Sequence, residues 1–196
     1  MSRPSSARDV ALVAVYAGVI AALGIVPAIS LPGFPVPITL QSLGVVLAGA
    51  VLGSRRGFAS VVLFLALVAL GLPLLAGGRG GLAVFATASV GFLLAWPFAA
   101  AVVGWLTERR GAPYQVRWGI PINIAGGIVL MYVGGWAGMV AVGGLTLPAA
   151  VAATAIFVPG DLLKMIAAAF IARAVHTAQP QLLPARSLGP VLDPAG

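Results

Sequence analysis

Two charged side chains lie three residues apart in the last apolar segment of the chain. Asp161 and Lys164 follow the chain-breaking pair Pro159-Gly160, in the run PGDLLK. Positions i and i+3 share a helix face, so both side chains would point the same way. A carboxylate can accept hydrogen bonds from a bound molecule, and an ammonium can donate them. The spacing indicates a binding site; the alternative is that Asp161 caps the helix and Lys164 neutralises it at a membrane surface.

Composition places these charges in a membrane protein. The chain has 196 residues, of which 61% are hydrophobic and 8% are charged. Soluble domains carry about 25% charged residues, and so much apolar surface cannot be hidden in a soluble globule of this size. The net charge of +7 comes from arginines scattered between apolar runs, which indicates topology and not nucleic-acid binding. There is no cysteine, so disulfide and thiolate chemistry are excluded.

Six apolar runs predict an all-α, polytopic fold with six transmembrane helices. A weaker run over 147–157 is either a short helix or part of a long loop. Residues 1–9 are predicted to be a cytoplasmic tail, 10–176 the transmembrane domain and 177–196 an unstructured cytoplasmic tail. Arg3 and Arg8 precede a first run that is read as a retained span and not as a cleaved signal peptide. The six runs are approximately 10–27, 38–53, 58–76, 84–106, 118–142 and 161–176.

The positive charges give this model an orientation. An even number of spans puts both termini on one side, and nine of the 11 basic residues then lie on that side. The positive-inside rule predicts that both termini are cytoplasmic, in the plasma or inner membrane. Only Arg79 and Lys164 are left on the outer side. The other nine are Arg3, Arg8, Arg55, Arg56, Arg109, Arg110, Arg117, Arg173 and Arg186.

Several polar groups are not explained by the positive-inside rule, and all of them fall in the outer half of the predicted helix bundle. Besides Asp161 and Lys164 these are Arg79, Gln41 near the start of the second span, and the connector 31–37. Taken singly, Arg79 could be an interfacial side chain and Gln41 a contact between helices. The glycines around Arg79 could serve only a tight turn. Together they favour a pocket for a small molecule arriving from outside; these glycines are Gly77, Gly78, Gly80 and Gly81.

The first span carries small residues at four-residue spacing. Ala14, Gly18 and Ala22 form one such row, and Ala17 and Ala21 form another. Small residues at this spacing let a second helix approach closely. The rows indicate either docking of a partner protein or packing within this chain.

Several activities lack the residues they need. The chain has no Walker A pattern, no GxSxG and no HExxH, and its single histidine and four acidic residues provide no metal or hydrolase site. We therefore expect no enzymatic activity and no cofactor. Two other hypotheses remain beside a solute-binding protein: an enzyme acting on a lipid, for which clustered carboxylates or histidines are missing, and a helix-packing or assembly protein without a ligand.

Three motifs in order resemble the BioY family. They are VPITLQSLGVVLAG at 36–49, AGGRGG at 76–81 and PGDLLK at 159–164. The resemblance covers about residues 10–176. BioY proteins are the biotin-binding S components of energy-coupling factor (ECF) transporters, so the resemblance implies six helices, biotin capture from outside and no cofactor. It also implies three partner subunits, namely a transmembrane coupling protein and two cytoplasmic ABC-type ATPases.

The resemblance also carries residue roles. It implies that Asp161 and Lys164 belong to the biotin pocket and that Ala17 and Ala21 lie on the surface that docks the coupling protein. After the glycine loop the family commonly has GPTGGY, whereas this chain has TASVGF at 87–92. Ser89 can stand for the threonine of that turn, but the proline and the first glycine are absent.

Biotin fits the chemistry of these side chains. Asp161 can accept from a ureido N–H, and Lys164 or Arg79 can donate to the ureido carbonyl or pair with the tail carboxylate. The residue types alone do not assign either cation to the carbonyl or to the carboxylate, and the alternative is an S component for another vitamin. Three aromatic residues are expected to pack on the rings: Phe34, Phe85 and Trp136.

Overall fold

The computed structural model describes residues 7–28 and 36–183 of the chain. Within these ranges every regular element is helical and no β-strand occurs, so the predicted all-α fold is confirmed. The seven α-helices are α1 (Ala7–Leu23), α2 (Gln41–Leu52), α3 (Ser54–Ala69), α4 (Val90–Arg110), α5 (Val116–Ala141), α6 (Leu147–Ala155) and α7 (Val158–Ala178).

Six of these helices lie where the six apolar runs predict them, and within 147–157 the chain forms the short helix α6. By length and composition α4 and α5 can each cross a membrane, and α6 with α7, bent by 60° at their junction, can form a third span. The helices α1, α2 and α3 have 17, 12 and 16 residues. A perpendicular span through the hydrocarbon core needs about 20 residues.

The shortest of these helices lies at the centre of the bundle. Ten of the 12 residues of α2 are buried, and the helix packs against α1, α3, α4 and α7. Gly49 allows the closest of these approaches, because the backbone of Ala100 in α4 occupies the place where a Cβ would sit. An almost uniformly apolar helix such as α2 is stabilised by being enclosed on all sides.

The longest helix changes its winding near the middle. α5 is π-helical from Ala125 to Leu130, four residues after Pro121. A π-helical turn inserts an additional residue and so rotates every later side chain about the helix axis. The side chains of α5 that follow this stretch therefore face differently from those of a regular helix of the same sequence.

The last two helices meet at a break that places charge at a helix start. α7 begins at Val158, three residues earlier than the predicted span, and Pro159 lies in its first turn. A proline is tolerated there because the first N–H groups of a helix have no intrahelical partner. Asp161 consequently lies in the first turn, where the helix dipole favours a negative charge. The helix continues to Ala178, and residues 184–196 of the predicted C-terminal tail lie outside the described residues.

The two ends of the bundle differ in charge. At one end Arg56 pairs with Asp9 at 3.4 Å, Arg8 donates to Gln179 at 3.4 Å, and the Ser54 N–H donates to the Glu108 carboxylate at 3.0 Å. These contacts bring together the start of α1, the α2–α3 turn, the end of α4 and the end of α7. We call this the arginine-rich end; its basic residues are Arg8, Arg55, Arg56, Arg109, Arg110, Arg117 and Arg173.

Candidate functional site

A cavity lies at the opposite end, between the start of α2, the segment before α4, the middle of α5 and the start of α7. Its empty volume is about 660 Å³, including the mouth. Small-molecule sites typically have an apolar wall with a few polar groups. The apolar part of this wall consists of Val36, Pro37, Ile38, Leu75, Phe92, Leu93, Trp96, Met131 and Phe157.

The two charges that the sequence singled out meet in the wall of this cavity. Lys164 Nζ lies 2.8 Å from Asp161 Oδ1, and the Tyr132 hydroxyl donates to Asp161 Oδ2 at 2.7 Å. Asp161 is 7% exposed and Lys164 is 9% exposed. Buried charges are tolerated only when they are paired and hydrogen-bonded, as these are. The pair is thus a buried element of the cavity and not a capping device at the surface.

Lys164 is fully engaged. Besides Asp161 its ammonium donates to the Thr39 carbonyl at 2.6 Å and to Ser42 Oγ at 3.4 Å. An ammonium has three N–H groups, so each has an acceptor. The lysine therefore joins α7 to the start of α2, and the bond to Ser42 is the weakest of the three by its length.

Gln41 also lines the cavity, but its amide is directed at the backbone. The amide nitrogen donates to the carbonyls of Ile20 (3.1 Å) and Leu74 (3.0 Å), and the amide oxygen accepts from the Ala76 N–H (2.9 Å). With 1% exposure, Gln41 ties the end of α1 and the 74–76 segment to α2. The structure therefore places this predicted binding residue as a support for the cavity wall.

The glycine loop holds Arg79 at the cavity. Leu75 and Arg79 exchange backbone hydrogen bonds at 3.0 and 3.2 Å, which closes a tight turn. Gly77 and Gly78 have φ of 81° and 69°, a region that favours glycine. The cavity is lined by Leu75 and Arg79 but by none of the four predicted glycines; Gly77 and Gly78 shape the turn, and Gly80 and Gly81 follow it.

Arg79 has unused donors. Its Nε donates to the Ala76 carbonyl at 3.3 Å, and among the described residues no acceptor faces its terminal N–H groups. The side chain is half-buried. Arg79 is thus the cation of the cavity that is free to bind an anion.

Of the other predicted contact residues, one lines the cavity, two lie away from it and one is outside the described residues. Ser89 lines the cavity and shares a 2.9 Å hydrogen bond with Thr87. Trp136 lies one layer away, where its indole N–H donates to Thr154 and its ring packs edge-on against Tyr132. Phe85 packs on the core and does not line the cavity, and Phe34 lies outside the described residues.

The two rows of small residues on α1 face in different directions. Ala17 is 3% exposed and Ala21 packs against the core. Ala14, Gly18 and Ala22 are exposed. The inward row serves packing within this chain, because α3 and α2 cover it, so a partner surface on α1 would have to use the outward row.

Several cavity residues were not found from the sequence. Tyr132 is the most important, because its hydroxyl fixes the second oxygen of Asp161. A single tyrosine in an apolar, glycine-rich span was the available signal, but nothing in the local spacing connects it to a residue 29 positions away. Phe92 and Trp96, one turn apart on α4, contribute aromatic rings to the wall, whereas the predicted Phe85 and Trp136 do not line the cavity.

The arrangement suits the binding of a small molecule. Among the described residues no group of three His, Cys, Asp or Glu side chains could hold a metal ion. What the cavity offers is a buried acceptor with two oxygens, a free guanidinium and an apolar, aromatic wall. These features describe a helical membrane protein with a cavity whose wall has both polar and apolar parts.

Comparisons with known proteins identify the family to which this membrane protein belongs. The BioY family model matches residues 1–181, and the chain belongs to this family. The biotin transporter BioY of Rhizobium etli is 48% identical over 93% of this chain and 100% of the relative. The biotin transporter BioY of Rhodobacter capsulatus is 50% identical over 91% and 98% of the two chains. The crystal structure of the S-component for biotin from an ECF-type ABC transporter superposes with a TM-score of 0.84 at 30% identity, over 90% of this chain and 95% of the other.

Proposed function

We propose that this chain mediates biotin uptake, as the biotin-binding S component of an ECF-type transporter, and that biotin occupies the cavity beside Asp161. Two relatives that match nearly the whole chain are named biotin transporters, which supports transport and argues against an enzyme. The single observation that carries the location of the site is the buried Asp161 carboxylate. It is held by Lys164 and Tyr132 in an otherwise largely apolar wall.

The ureido head of biotin is assigned to Asp161. The head has two N–H donors and one carbonyl acceptor. Each carboxylate oxygen has two acceptor positions, and one is occupied by Lys164 or Tyr132, so both oxygens can accept again. Hydrogen bonds from N–H to a carboxylate are charge-assisted and about twice as strong as neutral ones. The ureido carbonyl can take the Lys164 N–H that now points to the distant Ser42 hydroxyl.

The tail carboxylate of biotin is assigned to Arg79. Lys164 is committed to Asp161, to the Thr39 carbonyl and, in this assignment, to the ureido carbonyl, whereas the terminal N–H groups of Arg79 face no acceptor among the described residues. A guanidinium can bind a carboxylate through two parallel hydrogen bonds. The apolar rings of biotin would pack between these two polar ends, against Phe92, Trp96 and Met131.

Transport requires partners, because this chain has no nucleotide-binding motif. The proposed partners are a transmembrane coupling protein and two cytoplasmic ABC-type ATPase subunits. The outward row Ala14, Gly18 and Ala22 is the proposed docking face, and a Cβ added at Gly18 would meet no atom within 4 Å. The positive-inside rule places the arginine-rich end and both termini in the cytoplasm, with the cavity open to the outside of the plasma or inner membrane.

Equilibrium binding of tritiated biotin to the detergent-purified protein tests the function. We expect saturable binding of one biotin per chain, competed by unlabelled biotin and not by riboflavin or thiamine. Competition by either of those vitamins would favour an S component with another substrate. An absence of saturable binding by the folded protein would favour a packing or assembly role.

A further inference from the structure

A second, larger groove lies at the arginine-rich end, between the α4–α5 connection and the C-terminal end of α7. Its empty volume is about 1,920 Å³, including open solvent. Arg117 at the start of α5 and Arg173 on α7 both line it, and none of the acidic residues that the structure describes lies in its wall. The rest of the wall mixes apolar side chains, among them Val116 and Leu183, with uncharged polar ones such as Gln115 and Thr177. The groove is thus a cationic, partly apolar site, unlike the cavity at the other end.

Two buried polar atoms beside the groove have no hydrogen-bond partner among the described residues. They are Tyr114 Oη and His176 Nδ1, and both side chains line the groove. His176 is 6% exposed, its Nε2 donates to the Ala50 carbonyl at 2.9 Å, and its ring stacks on Tyr114 at 5.1 Å between centroids. Buried polar groups are nearly always satisfied, so these two indicate a missing polar partner.

The start of α5 adds a third feature. This 26-residue helix begins at Val116, and Gln115 before it makes no side-chain cap. The free N–H groups at a helix start, with the positive end of the dipole, favour phosphate. Arg117 lies in this first turn, and the Arg173 guanidinium on α7 has no hydrogen-bond partner among the described residues.

The surroundings indicate a lipid as the source of the phosphate. Trp118 follows Arg117 and is 36% exposed, with the Arg110 guanidinium 3.8 Å above its ring. Exposed tryptophans with neighbouring arginines are typical of the membrane–water interface. Ile171 and Phe170, next to Arg173, are also exposed, as expected for side chains that face acyl chains.

We propose that this groove binds the headgroup phosphate of an anionic phospholipid, with Arg117, Arg173 and the start of α5 as its ligands. Basic pockets between membrane helices are a recurrent form of such sites. A headgroup hydroxyl would donate to His176 Nδ1, which accepts because Nε2 carries the proton, and a phosphate oxygen would accept from the Tyr114 hydroxyl. The proposal does not depend on biotin binding, which takes place at the opposite end.

Native mass spectrometry of the purified full-length protein tests this site. The protein is mixed with equal amounts of phosphatidylglycerol and phosphatidylcholine of the same acyl chains. We expect preferential retention of phosphatidylglycerol. The double variant Arg117→Gln/Arg173→Gln should bind it at least tenfold more weakly, which corresponds to about 1.4 kcal/mol. Each single variant should lose part of this affinity.

A matched control separates the groove from the general charge of this end. The double variant Arg55→Gln/Arg109→Gln removes the same charge from exposed arginines outside the groove and should keep the preference. Equal losses in the two double variants, or equal retention of the two lipids by the wild type, would overturn the proposal. Biotin binding by both variants confirms that they are folded.

Two further measurements distinguish a phospholipid from other occupants of the groove. Inorganic phosphate at the same concentration should stabilise the protein against heat much less than phosphatidylglycerol does. Equal stabilisation would overturn the assignment to a lipid. A chain ending at Leu183 should bind phosphatidylglycerol as the full chain does, and a severalfold rise would show that residues 184–196 occupy the groove instead.

Discussion

The two ends of the bundle use charge in opposite ways. At the cavity end three charged groups are present, two of them are buried, and each of these two has a fixed partner. At the arginine-rich end the basic groups are more numerous and more exposed, and some of them stack on tryptophans, as Arg109 does on Trp105 at 3.9 Å. Exposed charges contribute little energy singly but orient a protein in the membrane, whereas buried pairs are costly and mark a site.

This contrast predicts that biotin affinity and stability fall most when a buried charge loses its partner. Lys164→Met leaves the Asp161 carboxylate buried with only the Tyr132 hydroxyl, and breaking such a pair costs about 3–5 kcal/mol. We expect lower thermal stability and at least a hundredfold weaker biotin binding, about 2.7 kcal/mol, by isothermal titration calorimetry. Asp161→Asn should also lose at least tenfold, about 1.4 kcal/mol. Unchanged affinity in folded, monodisperse variants would show that the pair takes no part in biotin binding.

A substitution at Gln41 distinguishes a residue that binds biotin from one that supports the cavity wall. Gln41→Leu removes three hydrogen bonds and leaves Ile20, Leu74 and Ala76 backbone groups unpaired. We expect a loss of about 3 kcal/mol in the free energy of unfolding, since each unsatisfied buried group costs about 1–3 kcal/mol. The melting temperature should fall clearly, while the affinity of the remaining folded protein falls less than in Lys164→Met. The reverse order would make Gln41 a direct biotin ligand.

Substitution of Arg79 should reduce biotin affinity less than substitution of Lys164. The reduction should depend on the tail carboxylate of the ligand. Arg79→Gln is expected to weaken biotin binding about tenfold, or 1.4 kcal/mol, because one ion pair at a half-exposed position is lost. Binding of biotin amide, which lacks the tail carboxylate, should be the same in the variant and the wild type. If the variant lost affinity equally for both ligands, Arg79 would not be the partner of the carboxylate.

The outward row of α1 predicts a loss of transport without a loss of binding. Gly18→Trp adds bulk where no atom lies within 4 Å, so biotin binding should change by less than about twofold, within ±0.5 kcal/mol. ATP-driven biotin uptake and co-purification of the coupling protein should be lost. Ala17→Trp is the contrasting variant, since it places an indole in the core and should destabilise the isolated protein. Normal uptake by Gly18→Trp would exclude the outward row as the docking face.

The arginine-rich end should give the smallest effect on the ligand. Arg55→Gln is expected to leave biotin affinity unchanged within about twofold, as surface substitutions usually do. Impermeant maleimide should label Arg55→Cys from the cytoplasmic side and Arg79→Cys from the outside, in a chain with no cysteine of its own. Labelling of Arg79→Cys only from the cytoplasm would overturn the proposed orientation.

The sequence was sufficient for features that depend on nearby residues. The apolar runs predicted the positions of six helices, and the spacing of Asp161 and Lys164 predicted that they share a face. Features that depend on distant residues could not be predicted. Tyr132 reaches Asp161 from another helix, after a π-helical stretch that no local pattern indicated.

The sequence shows which residues are unusual more readily than it shows what each of them contacts. Gln41 was recognised as an unusual polar group, but its three partners lie on segments whose approach depends on the whole fold. The two small-residue rows of α1 were indistinguishable in sequence because both have the same four-residue spacing. Only the packing of α2 and α3 shows that Ala17 faces inward and Gly18 outward.

The claim that biotin occupies the cavity beside Asp161 is tested most directly by protection of introduced cysteines. Ser42 and Ser54 are both half-buried, but Ser42 lines the cavity and Ser54 lies at the arginine-rich end. We measure the rate at which a small methanethiosulfonate reagent modifies Ser42→Cys and Ser54→Cys, with and without saturating biotin. Biotin should slow modification of Ser42→Cys at least tenfold and leave Ser54→Cys unchanged. Equal rates at Ser42→Cys with and without bound biotin, or protection of Ser54→Cys alone, would contradict the proposed site.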